Sequence, residues 1–202
     1  MELLSLQVDN HFPITLRDSI IIRPLREKDA GPFQQAVEKN RGHLGKFLPW
    51  VPATTTIHHE LEFIRFAEEQ EKKVTGLHCG MFKLQGQDSQ QEFGEAVGCI
   101  GFKEINSLTR TAELGYWLSE DHTGSGLCTL ACKKIIEYGQ AIGIQQFRIH
   151  TATDNLKSQA VALRLGFQQL PGVMKDVCVV NGISVSNLAF VLHLPESGSS
   201  IG

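Results

Sequence analysis

Thr123-Gly124-Ser125-Gly126 stands between a strand-like run, Ala112–Leu118, and an apolar-periodic segment that begins at Leu127. Two glycines at this spacing let a backbone approach a ligand with no Cβ in the way. A helix starting just after them offers four unpaired N–H groups and the positive end of its dipole. Together these features suit phosphate. Four readings compete. A dinucleotide fingerprint asks for a third small residue and an acid about 20 positions on. Here Thr129 holds the first place and Gln145–His150 supplies no acid. A P-loop asks for Lys and Ser/Thr after its last glycine, and Leu127-Cys128 excludes it. An acyl-coenzyme A site and a plain strand-to-helix turn remain, and a lone Gly-x-Gly does not separate them.

Other reactive residues are fewer. His58-His59-Glu60 raises a metal question, but adjacent histidines on a helix point apart and no HExxH pattern follows; the stretch reads as a helix N-terminus. Cys79, Cys99, Cys128, Cys132 and Cys178 are scattered without a CxxC pair, so no zinc or dithiol site is expected. Most read as small core residues. An odd cysteine count and no secretory leader suit a reducing cytoplasm. Trp50 can rim an acceptor pocket or plug its loop against the core. His122 borders the glycine turn and reads as a cofactor contact or a solvent-exposed ring.

The 202 residues suffice for one domain with a sizeable core. With 19 basic against 22 acidic residues, net −3, nothing argues for nucleic acid or an anionic membrane as partner. No apolar run approaches the ~18 residues of a membrane span.

Patterning supplies the elements that must position these groups. Residues 1–10 read as a flexible end, 11–194 as one domain, and 195–202 as a disordered tail. Ile14–Leu16 and Ser19–Leu25 are strand-like, and Asp29 can cap a helix from Ala30 to Asn40. Phe47–Pro52 is an apolar loop broken by prolines. A helix fits Thr56–Lys73, with Ile57, Leu61, Ile64 and Ala67 on one face. Leu77–Leu84 and Ala96–Phe102 read as strands around the polar Gln85–Glu92, and Thr111–Leu118 follows as another. The helix after the glycine turn turns Leu127, Leu130, Ala131, Ile135 and Tyr138 inward. Gln146–Thr153 is a strand, Lys157–Leu165 a helix capped by Asp154 or Asn155, and Val173–Leu194 a hairpin about Asn181-Gly182. The result is a mixed α/β domain on one central sheet.

Several segments together resemble the GNAT acetyltransferase family, and its RimJ/RimL-type branch in particular. Thr123-Gly124-Ser125-Gly126-Leu127-Cys128 is similar to the family's pyrophosphate motif, with Thr123 where a Gln or Arg is usual and Cys128 where a smaller residue is usual. Ile20-Ile21-Ile22-Arg23-Pro24-Leu25 with Asp29-Ala30, then Leu48-Pro49-Trp50, then Ala112–Leu118, then Asp154-Asn155-Leu156-Lys157-Ser158 with Leu165-Gly166-Phe167, resemble the branch in order. The likeness spans about residues 14–194.

The resemblance implies a GNAT acyl-CoA N-acyltransferase fold: an α/β (α+β) domain with a mixed, mostly antiparallel sheet, splayed between its fourth and fifth strands, and helices on both faces. It implies acetyl-CoA as co-substrate, no metal, and direct transfer to an amine in a ternary complex. Thr123, Gly124, Ser125, Gly126, Leu127, Cys128 and Thr129 would hold the pyrophosphate. Main-chain groups of Trp117, Leu118 and Ser119, with Asn155, would hold pantetheine. Ser158 would protonate the leaving thiolate, because the tyrosine many members use is replaced by Ala162. Glu113 would be the base, through a water, its pKa raised by partial burial; the alternative is an ion pair with a nearby Arg or Lys. The acid that the branch carries before its last turn corresponds to Cys178. The implied acceptor is a protein N-terminal α-amine, ribosomal proteins among them, with Trp50 at the pocket. A small amine (amino sugar, polyamine or amino acid) and a non-catalytic CoA-binding module are the rivals. The family often dimerises.

Overall fold

The computed structural model describes residues 4–84, 94–180 and 183–194, without the side chains of 176–178. The polar loop at 85–92, the Asn181-Gly182 turn, the tail from 195 and the Cys178 side chain therefore lie outside the described residues.

The chain runs α1 (Val8–His11), β1 (Ile14–Thr15), β2 (Ile20–Pro24), α2 (Ala30–Lys39), α3 (Arg41–Leu44), α4 (Ile57–Lys73), β3 (Leu77–Lys83), β4 (Glu95–Asn106), β5 (Thr111–Leu118), α5 (Leu127–Ala141), β6 (Gln146–Ala152), α6 (Leu156–Arg164), β7 (Gln168–Gln169), β8 (Met174–Val180) and β9 (Ile183–His193). Short 3-10 turns precede α2 and α5. The strands form one sheet in the order β1-β2-β3-β4-β5-β6-β9-β7, with β8 on β9. Every described pairing is antiparallel except β5 with β6.

That parallel pair shapes the molecule. Its register runs from Thr111↔Gln146 to Leu114↔Ile149 and stops. Gly115–Leu118 and His150–Ala152 continue without each other, so the two strands part toward their C-terminal ends. β4 keeps β5 on its other side as far as Gly98↔Leu118. Register slips between Phe102 and Glu104, leaving Lys103 as the extra residue of a β-bulge.

Helices cover both faces. α5 packs on β4 and β5, over a core that includes Phe102, Leu114, Ile135 and Phe147. Gly139 lets it come close, since a Cβ there would lie 2.7 Å from the Phe147 ring and 2.8 Å from Phe102. On the other face α2 and α4 enclose a smaller cluster around Phe33, Ile64, Phe82 and Cys99.

Three expectations are corrected. Leu4 and Leu6 are buried in the larger core and the Tyr138 hydroxyl donates to the Leu6 carbonyl, which a flexible reading of residues 1–10 does not foresee. Asp29 does not cap α2. Its carboxylate takes two 2.7 Å bonds from Arg23 and one from the Arg26 N–H, because that cation is the stronger partner for a fully buried acid. On α4 the inward stripe is Glu60, Ile64 and Ala67; Ile57 lies a turn beyond it and is 45% exposed.

Candidate active site and cofactor cleft

The cleft forms where β5 and β6 part. β5 delivers Tyr116, Trp117 and Leu118, with the strand edge toward β6 unpaired. The chain then turns through Glu120–His122 into the glycine pair. Gly124 (φ 75°) and Gly126 (φ 79°) are both left-handed, a conformation that disfavours a Cβ, and Gly126 is the N-cap of α5. First-turn N–H groups of α5 have no intrahelical partner, and that of Leu127 makes only a 3.4 Å contact with Ser125 Oγ. The start of α6 closes the far side with Asn155, Lys157 and Ser158. Leu44, Phe47 and Leu48 wall the outer end. The cavity measures about 440 Å³.

Of the residues the sequence nominates for the cofactor, Trp117, Leu118, Thr123, Gly124, Gly126, Leu127, Cys128, Thr129, Asn155 and Ser158 line this one cavity. Ser119 and Ser125 do not. The Ser119 N–H is taken by the Val97 carbonyl at 2.9 Å, and its own carbonyl accepts from His122. Ser125 turns its hydroxyl back to the His122 carbonyl, and its carbonyl accepts from Arg17. Trp50 stands outside the cavity lining, 37% exposed at the loop turn, while Phe47 and Leu48 of the same loop face inward.

Asn155 Oδ1 accepts the Ser158 N–H at 3.2 Å, so it caps α6 and lines the cleft at once. Ser158 Oγ lies 2.9 Å from the Tyr116 hydroxyl, which also donates to the Ser158 carbonyl at 3.3 Å. Ala162 is buried in the core, and the phenol that stands beside Ser158 comes from Tyr116 on β5. Burial, helped by the nearby Cys132 and Cys128 thiols, pushes the Tyr116 pKa up, so the phenol stays protonated.

Of three further groups in or beside the cleft, Arg164 and Arg17 are new to the structure, and His122 takes the first of its two sequence readings, a place at the cofactor cleft. Arg164 lines it and donates to Thr129 Oγ1 at 2.8 Å. Its position is readable in the sequence, since Lys157, Val161 and Arg164 share one helical face. Arg17, from the β1–β2 turn, reaches the Ser125 carbonyl, and nothing in the spacing of the two residues signals that. His122 lines the cavity with Nδ1 buried and, among the described residues, unpartnered, an orphan that a cofactor oxygen or amide could satisfy. Glycines without Cβ, free helix N–H groups, this orphan nitrogen and an open strand edge together fit an acyl-CoA.

Glu113 lies elsewhere. Two residues behind the start of the splay, it lines a groove of about 650 Å³ together with Glu104, Arg148, His150 and His193. Lys103, aimed by the bulge, reaches Glu113 Oε1 at 2.6 Å, and His150 Nδ1 lies 3.0 Å from Oε2. The expected rise in its pKa is overturned. Burial does push upward, but the bonds and charges of His150 and Lys103 outweigh it and hold the carboxyl at about 2. A carboxylate held there is a weak proton acceptor.

Among the described residues no group of three or more His, Cys, Asp or Glu could hold a metal ion. His59 Nδ1 instead accepts from the Thr55 and Thr56 N–H groups at 3.1 and 3.3 Å, at the start of α4. Cys79, Cys99 and Cys132 are buried free thiols, and Cys128 is half-buried at the cleft. No described helix is long and apolar enough to cross a membrane.

Comparison with known proteins agrees with this geometry. The acetyltransferase (GNAT) domain family matches residues 19–168. The ribosomal-protein-serine acetyltransferase of Escherichia coli K12 is 32% identical over 176 residues, covering 83% of this chain and 89% of that protein. Among solved structures, the microcin C7 self-immunity acetyltransferase MccE, in complex with acetyl-CoA and AMP, is 27% identical with a TM-score of 0.79, covering 90% of this chain and 96% of that one. The RimL ribosomal L7/L12 α-N-protein acetyltransferase in complex with coenzyme A shares the fold at 22% identity and a TM-score of 0.80, over 90% and 98% of the two chains.

Proposed function

From the premise that this chain belongs to the GNAT acetyltransferase family, as an acetyl-CoA-dependent N-acetyltransferase, we propose that its acceptor is the N-terminal α-amine of a protein, of the ribosomal-protein type. The observation that carries this is the 32% identity, along most of both chains, to a ribosomal-protein-serine acetyltransferase.

In the proposed arrangement the glycine turn and the first N–H groups of α5 hold the diphosphate. Arg164 and Arg17 supply the positive charge that Thr123 lacks. The free edge of Gly115–Leu118 and the Asn155 side chain hold the pantetheine amides. Acetyl-CoA, when bound, supplies an activated acyl group. Ser158, its hydroxyl 2.9 Å from the Tyr116 phenol, gives its own proton to the leaving sulfur. The family likeness extends the proposal to a homodimeric, cytoplasmic enzyme.

The test offers acetyl-CoA and three acceptors: a short peptide with a free N-terminal serine, the same peptide N-blocked but carrying a lysine, and spermidine. Thiol release with mass gain on the first alone is expected. Acetylation of spermidine alone would transfer the reading to small amines. Acetyl-CoA binding with no thiol release on any amine would leave a CoA-binding module.

A further inference from the structure

The groove that holds Glu113 shares no lining residue with the cofactor cleft, yet it sits at the point where β5 and β6 separate. His150 is the first residue of β6 beyond the last β5–β6 pair. Its strand neighbours Ile149 and Thr151 are buried, Ile149 within the core under α5. Alternation therefore puts His150, Arg148 and Glu113 on the opposite face. Lys103 and Glu104 come from β4 and His193 from β9 to the same face. Nδ1 of His150 is committed to the Glu113 carboxylate at 3.0 Å. A carboxylate can only accept, so in the neutral ring Nδ1 carries the proton and Nε2 keeps its lone pair. Lys103 on the other carboxylate oxygen fixes Glu113 as the ionised partner.

We infer that His150 accepts the proton of the incoming amine, that Glu113 is its positioning residue, and that a primary amine reaches the gap between β5 and β6 from this groove. The inference rests on the acetyl-transfer reading above. It gives the low-pKa carboxylate a task it can perform, orienting an imidazole, as in carboxylate–histidine pairs generally. The ammonium gives one proton to Nε2, forming an imidazolium that Glu113 stabilises. The nitrogen lone pair then bonds to the thioester carbonyl carbon, and the C–S bond breaks with its electron pair staying on sulfur. Ser158 gives its proton to the sulfur and takes the nitrogen's second proton in return, and the imidazolium returns the first to solvent.

The test uses the full chain with the serine peptide and acetyl-CoA. His150→Ala is expected to lower kcat about 100-fold with acetyl-CoA affinity unchanged, and added imidazole to restore part of the rate. Independently of turnover, ring 15N NMR should show the Nδ1–H form of His150 in the native protein, and a shift of the proton toward Nε2 in Glu113→Gln. Native-like kcat in His150→Ala, or a His150 ring whose tautomer ignores Glu113→Gln, overturns the inference while leaving acetyl transfer intact. A native protein that binds acetyl-CoA and acetylates no amine overturns the functional reading, and this inference with it.

Discussion

Replacing Glu60 by glutamine should stabilise the protein at neutral and alkaline pH and leave it nearly unchanged in acid. Glu60 is 3% exposed, on the inward stripe of α4, and Oε1 has no partner among the described residues. Burial raises its pKa from the ordinary 4.5 to about 7. Below 4.5 the group is protonated in both the folded and unfolded chain and costs nothing extra. Between 4.5 and about 7 the unfolded chain releases the proton first, so stability falls with rising pH, and above about 7 the loss is complete. At ~1.4 kcal/mol per pH unit the gap is worth about 3 kcal/mol. Glu60 stands in the first turn of α4, where the helix dipole favours the anion by roughly 0.5–1 kcal/mol. A net gain of about 2–3 kcal/mol at pH 8 follows for Glu60→Gln, or roughly 5–10 °C in Tm for a chain of this size. Thermal melts of both proteins at pH 4.5 and pH 8 decide it. A difference that does not grow between the two, or a variant less stable at pH 8, would refute a buried, unpaired acid at this position.

The remaining predictions concern the cleft. Ser158→Ala should slow turnover about 10- to 100-fold with little change in acetyl-CoA affinity by calorimetry; an unchanged rate removes Ser158 from the chemistry. Gly126→Val forces a β-branched residue into a left-handed conformation costing at least ~1–2 kcal/mol, at the lip of the phosphate turn, so acetyl-CoA binding should vanish, and retained affinity would refute the placement of the diphosphate. Asn155→Ala should cost about 1 kcal/mol through the lost cap and weaken acetyl-CoA binding as well; a stability loss with native affinity would reduce Asn155 to capping alone.

Much of this protein is written locally. The glycine pair, the periodicity of α5, the short apolar strands and the Asn155 cap are set by nearest neighbours and by patterns of 2 and 3.6 residues, so the fold and ten cofactor-side residues are readable along the chain. Partners distant in sequence are not. Tyr116 meets Ser158 only because β5 and α6 flank the same gap. Arg17 reaches Ser125 only because the β1–β2 turn folds over the start of α5. Glu113 illustrates the division best. Its strand and its neighbours are local facts, but its charge state depends on the bulge that aims Lys103 and on the parallel register that brings His150 alongside. Pattern fixes which face a side chain takes; only the assembled sheet fixes which charges stand within 3 Å of it, and those decide the proton chemistry.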